Sequence, residues 1–186
     1  VKPRLFKRTP ATALLQTIGF SQFAAAYQPK AGKVTLVGAG PGDADYLTIK
    51  AVRALQSADI VLFDDLVSDE VLALASRRAE RIPVGKRRGR HSCKQEDINA
   101  MMISLASQGR HVVRLKSGDP MIFGRAGEEI AALEAQSIEV AVVPGISAAF
   151  ALAASLKTSL THRDYAQSVR FVTGHSRHGH LPENLD

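Results

Sequence analysis

From Gly32 onward, short β-branched runs alternate with stretches of helical period, the pattern of a parallel sheet with crossover helices. The runs predict strands over Lys33–Val37, Asp59–Phe63, Arg81–Val84, His111–Leu115 and Ile138–Val143. Between the first two, Leu47, Ala51, Ala54 and Leu55 fall on one face of a helix over Leu47–Gln56. Ile98, Met101, Met102 and Leu105 recur at i, i+3, i+4 and i+7, so a second helix is expected, opened by Ser92 with Gln95 as its capping-box partner and closed by Gly109. At that spacing the methionine pair reads as core. A third helix, over about Ala126–Gln136, turns Ile130 and Leu133 inward and leaves Glu128, Glu129 and Glu134 mostly solvated.

After Pro144 and Gly145 the character changes. A small-residue helix (Ala148, Ala149, Ala151, Ala153, Ala154) runs toward Ser155 and is followed by one strand, Val169–Thr173. A single helix and strand cannot bury their own apolar faces, so they read as the start of a second unit. The expected class is α/β: a basic tail or linker over 1–31, a parallel-sheet domain over 32–146, and the incomplete beginning of a second α/β domain over 147–186. The chain opens on Val1 rather than methionine, which points to a fragment.

Composition narrows the partners. The 186 residues are 45% apolar and 23% charged, enough for a packed core. A balance of 24 basic against 18 acidic residues gives +6, and with a pI near 9.7 this raises nucleic acid as a partner. The distribution argues against it, because Lys2, Arg4, Lys7, Arg8 and Lys30 precede the first acid, Asp43, leaving a nearly neutral remainder. No apolar run approaches the roughly 18 residues of a spanning helix, so no membrane partner is expected. The lone Cys93 allows no intramolecular disulfide and fits a reducing compartment, hence a cytoplasmic location. The acid-free segment around Ala11–Ala26 leaves organellar import open.

The candidate chemistry sits at the strand ends, where an open parallel sheet binds its ligands. Five clusters rich in Gly, Asp, Pro or basic residues follow the five strands: Gly38-Ala39-Gly40-Pro41-Gly42-Asp43, Asp64-Asp65, Gly85-Lys86-Arg87-Arg88, Ser117-Gly118-Asp119-Pro120 and Pro144-Gly145-Ile146-Ser147. The first invites a dinucleotide reading, with Asp64 as a ribose-binding acid. Its order is G-x-G-P-G-D, however; Pro41 removes a backbone donor and Asp43 sets a negative charge where a phosphate would lie. Such a loop suits a ligand without phosphate, and an adenosine-bearing sulfonium qualifies. Lys86, Arg87, Arg88, Arg90 and His91 crowd cations after the third strand, and Arg114, Lys116, Arg125, His162 and Arg163 stand at other strand ends or turns; a basic run is ordinarily a solvated face. His175, His178 and His180 lack a companion Cys or acid cluster, so no metal is expected.

Together, Val37-Gly38-Ala39-Gly40-Pro41-Gly42-Asp43, Phe63-Asp64-Asp65-Leu66-Val67-Ser68, Gly85-Lys86-Arg87, Val112 to Pro120, Ile122-Phe123-Gly124-Arg125, Val143 to Ala148 and Leu160 to Ala166 resemble the tetrapyrrole methylases. More narrowly they resemble the uroporphyrinogen-III C-methyltransferase branch, which includes the methylase domain of siroheme synthases. The resemblance runs in order from about Gly32 to His175 and implies methyl transfer from S-adenosylmethionine to two pyrrole carbons of uroporphyrinogen III, an acidic tetrapyrrole, giving precorrin-2 on the way to siroheme or cobalamin. It implies donor contacts at Pro41, Ser117, Gly118, Asp119, Ile122, Ser147 and Ala148, a proton acceptor at Asp64, a proton donor at Lys86, no metal, and a homodimer for the full-length family member. For that acidic substrate the cationic clusters, Arg114, Lys116 and His162 among them, read as a carboxylate-binding set rather than a solvated face, with Arg87, Arg88, Arg90, Arg125 and Arg163 as the candidates. A turn-capping role is the alternative for Asp64. For the chain as a whole, the alternatives are another precorrin methyltransferase, a nicotinamide-dinucleotide module or an inactive methylase fragment. The sequence departs from the family with Ser117 in place of the usual glycine, Phe63 for tyrosine, Ser147 for threonine, and Lys157-Thr158-Ser159-Leu160 for Gly-Ile-Pro-Leu.

Overall fold

The computed structural model describes residues 32–85 and 93–173. The tail, the run Lys86, Arg87, Arg88, Arg90 and His91, the expected helix-opening Ser92, and His175, His178 and His180 lie outside the described residues. Five strands, β1 (Lys33–Gly38), β2 (Ile60–Phe63), β3 (Glu80–Pro83), β4 (His111–Lys116) and β5 (Glu139–Val143), form one parallel sheet in the order β3-β2-β4-β1-β5. Each lies within one residue of its expected bounds.

Alternation along the strands sorts the core into two faces. Val37, Val61, Val113 and Leu115 pack with Ala51, Leu55 and Val71 on one face, covered by α1 (Ile49–Ser57) and α2 (Asp69–Ala73). Val34, Leu36, Leu62 and Val112 pack with Ile98, Met102 and Leu133 on the other, covered by α3 (Gln95–Ser107) and α4 (Ala126–Glu134). The methionines of α3 are core, as their spacing predicts. Because Arg114 and Lys116 follow Val112 in steps of two, period two puts them on the α3–α4 face.

Helix starts follow local hydrogen bonding. Thr48 Oγ1 accepts the Ala51 amide at 3.1 Å and opens α1. Ser68 Oγ accepts the Val71 amide at 3.3 Å and opens α2, a five-residue helix too short to show a period in the sequence. The expected start of α3 is corrected: the N-cap is Lys94, whose amide is accepted by Asp97 at 3.2 Å, and Gln95 is the first helical residue. Asp97, three residues on, is placed to take that amide.

Two further expectations are overturned. Glu129 is fully buried rather than solvated, because its position on α4 faces the cations of β4. Val169–Thr173 pairs with no strand among the described residues and is irregular, since a strand needs a neighbouring edge to bond. Instead Phe171 packs edge-on against Phe150 of α5 (Ala148–Ser155), ring centroids 5.8 Å apart.

Candidate functional site

With β4 and β1 adjacent at the centre and β5 beyond β1, the loops after these three strands lie side by side at their carboxyl ends. That is where doubly wound sheets form ligand crevices. Gly40 and Gly118 exchange backbone bonds of 3.2 and 2.7 Å. Gly38 and Gly145 approach so closely that a Cβ on Gly145 would lie 2.3 Å from the Gly118 carbonyl oxygen, and one on Gly38 2.5 Å from the Gly145 nitrogen. Asp119 fastens the assembly, accepting the Gly145 amide on Oδ2 at 2.9 Å and the Met121 amide on Oδ1 at 2.8 Å.

These loops wall a cleft of about 590 Å³, within the usual range for small-molecule sites. All seven expected donor contacts, Pro41, Ser117, Gly118, Asp119, Ile122, Ser147 and Ala148, line it. Ser117 is absent from the left-handed non-glycine residues, which are Phe123, Arg125, Ser137 and Lys157 among those described, so its side chain is carried without backbone strain. Ser147 is buried at the N-cap of α5, yet its hydroxyl makes no cap bond and stays uncommitted to the helix. An adenosine-bearing sulfonium fits this chemistry: hydroxyls, close backbone and a carboxylate, with Pro41 offering no amide to a phosphate.

A second cleft, of about 470 Å³, adjoins the first through Ser117, Ile122 and Phe123. Asp64, Gly85, Gln95, Arg114, Lys116, Gly124 and Arg125 line it. Phe123 and Arg125 flank Gly124 at φ of 52° and 54°, a left-handed pair costing roughly 1–2 kcal/mol per residue. Asp64 Oδ1 accepts from Arg114 Nη2 at 2.6 Å, and its side chain is 30% exposed on the cleft wall. Arg114 Nε donates to Glu129 Oε1 at 3.1 Å, and its Nη1 donates to the Leu115 carbonyl at 3.2 Å. Lys116 Nζ reaches both oxygens of Glu129 at 3.1 and 3.0 Å, and Gln95 Nε2 donates to Oε1 at 3.1 Å. Burial, then the neighbouring Arg114 charge, push the Lys116 ammonium below its ordinary pKa of 10.5, with Glu129 opposing them.

Arg114 and Lys116 are therefore not open carboxylate binders: both are buried and held by acids of their own chain. Arg125 is exposed on the second cleft and forks onto Glu128 at 2.8 and 2.7 Å, and that bond holds the Glu128 carboxyl below its usual range. Arg163 is exposed in the His162–Ala166 turn and lines neither cleft, while the His162 ring lies against Tyr165. Gly85, the residue before Lys86, lines the same cleft as Asp64. Sequence reasoning missed Gln95, Glu129, Phe123 and the returning segment Arg170-Phe171-Val172 of the first cleft. For Glu129 the signal available was its place in the first turn of α4, opposite two basic residues of one strand face. Among the described residues no group of three or more His, Cys, Asp or Glu could hold a metal ion, and no helix is long and apolar enough to cross a membrane.

A parallel α/β domain with two adjoining clefts at the carboxyl ends of its strands is an architecture in which small-molecule sites are built. The chain belongs to the Tetrapyrrole (Corrin/Porphyrin) Methylases, whose family profile matches residues 33–185. It is 58% identical over 148 residues to siroheme synthase of Pseudomonas fluorescens (strain SBW25), which covers 80% of this chain and 32% of that protein. The chain thus spans about a third of the length of the curated relatives it matches. A crystal structure of uroporphyrin-III C-methyltransferase from Thermus thermophilus superposes with a TM-score of 0.70 at 48% identity, over 78% of this chain and 61% of that one. The same enzyme complexed with S-adenosyl homocysteine gives 0.69 at 45%, over 82% and 64%. Cobalt precorrin-4 methyltransferase gives 0.70 at 34%, over 81% and 61%.

Proposed function

We propose that this chain is the catalytic part of an S-adenosylmethionine-dependent C-methyltransferase that converts uroporphyrinogen III to precorrin-2. The observation that carries this reading is the convergence of all seven motif-derived donor contacts on one cleft, with Asp64 in the cleft beside it. The higher identity to the uroporphyrin-III enzyme than to the cobalt precorrin-4 enzyme favours that branch. The domain division belongs to the same reading: among the described residues burial ends at Ser147, and nothing from Ala148 to Thr173 is buried.

In this mechanism Ser117, Gly118, Asp119, Ser147 and Ala148 hold and orient the donor, whose sulfonium supplies an electrophilic methyl group. A carbon–carbon bond forms at the pyrrole as the carbon–sulfur bond breaks, and the sulfur keeps the electron pair. Asp64 accepts the pyrrole N–H proton, which avoids a cationic product; general-base catalysis of this kind is worth roughly 10²- to 10⁴-fold. Alignment and exclusion of water supply much of the rest. Arg87, Arg88, Arg90 and Arg125 meet the carboxylates, and Lys86 is the proton donor. Isothermal titration with S-adenosylhomocysteine and with NAD tests the donor site: binding of the first alone is expected, and binding of NAD alone refutes the reading. Asp64→Ala is expected to abolish methylation in the full-length gene product and leave donor affinity unchanged.

A further inference from the structure

Asp64 stands at a strand end on the wall of the second cleft, 30% exposed, where a short carboxylate could otherwise choose among rotamers. Its partner cannot swing. Arg114 is 3% exposed and bonded on three sides, to Asp64, to the Leu115 carbonyl and to Glu129. Glu129 is in turn fully buried and receives Arg114, Lys116 and Gln95 from two different elements. Two carboxylates and two cations balance in charge. A buried ion network of this kind is a weak source of stability, because desolvation cancels most of the attraction. What it supplies is a fixed geometry, which reaches Asp64 through its Oδ1.

We infer that Glu129 is a positioning residue for Asp64, acting through Arg114 to fix the direction of the carboxylate that takes the pyrrole proton. The inference rests on the methyl-transfer reading above. Direction follows from the fork: Nε on Glu129 sets the guanidinium plane, and Nη2 then presents one N–H to Asp64.

The test uses the full-length gene product with uroporphyrinogen III and S-adenosylmethionine. Glu129→Gln is expected to lower kcat by about tenfold to a hundredfold, the scale of a misaligned reacting group. It should leave the S-adenosylhomocysteine dissociation constant and the KM for the tetrapyrrole unchanged, so that the loss falls on kcat alone. Arg114→Lys keeps the charge but cannot span both carboxylates, and should show a matching loss of kcat; it serves as the second variant if Glu129→Gln fails to fold. A normal kcat in Glu129→Gln, or a loss confined to KM, beside an inactive Asp64→Asn, overturns the positioning role alone. Full turnover by Asp64→Asn removes Asp64 from the chemistry and overturns the parent reading with it.

Discussion

The Asp119 carboxylate accepts the Gly145 amide at 2.9 Å, joining the loop after β4 to the loop after β5 across 26 residues of sequence. Its second oxygen takes the Met121 amide, so one side chain holds two walls of the first cleft. Asp119→Ala is expected to destabilise the domain by about 1–3 kcal/mol, the cost of leaving amides without acceptors. It should also weaken S-adenosylhomocysteine binding by roughly tenfold, about 1.4 kcal/mol. Denaturant unfolding and calorimetric titration read the two effects separately.

Glycines in this chain separate by surroundings. A Cβ on Gly145 would lie 2.3 Å from the Gly118 carbonyl oxygen, whereas one on Gly127 of α4 would meet nothing within 4 Å. Gly145→Ala should therefore destabilise the domain and close the cleft to S-adenosylhomocysteine. Gly127→Ala should raise stability by roughly 0.5–1 kcal/mol through helix propensity. Paired urea titrations of the two variants check the opposite signs.

Gly85, which immediately precedes the basic run in sequence, lines the cleft that holds Asp64. In the full-length gene product, Arg87→Ala with Arg88→Ala is expected to raise the KM for the tetrapyrrole by about tenfold, as a lost hydrogen bond to a charged group would. The salt dependence of that KM should weaken, because fewer cations meet the polycarboxylate. Steady-state kinetics at two ionic strengths decide it, an unchanged KM returning the run to a solvated face.

Lys116 gives a pH signature. Its folded-state pKa lies below the unfolded value of about 10.5, so between the two the unfolded chain holds more protons and stability rises with pH. The gain begins as pH passes upward through the folded-state pKa and is complete above 10.5. Lys116→Met lacks this group, so the stability difference between wild type and variant should grow in favour of wild type as pH rises toward that value. Urea midpoints taken across the alkaline range measure it.

Strand positions, the core face of α3 and the strand-end loops that wall the first cleft were legible in the sequence, because each depends on short-range pattern. Period two marks strands, period 3.6 marks α3, and Gly-Pro-Asp clusters mark the ends where an open sheet binds ligands. The start of α3 was misplaced because Asp97 rather than Gln95 takes the cap amide. The stretch Val169–Thr173 has strand composition but no neighbouring edge among the described residues.

Which charges face solvent and which face one another was decided only by the tertiary structure. Glu128 and Glu129 are neighbours of one type, yet the first forks onto exposed Arg125 and the second is buried under β4. Arg114 finds its two acids 50 residues back and 15 residues on. Sequence patterning can set the face of one element, but the partner of a buried charge depends on how separate elements pack. That packing converts two apparent substrate-binding cations into the internal support of Asp64.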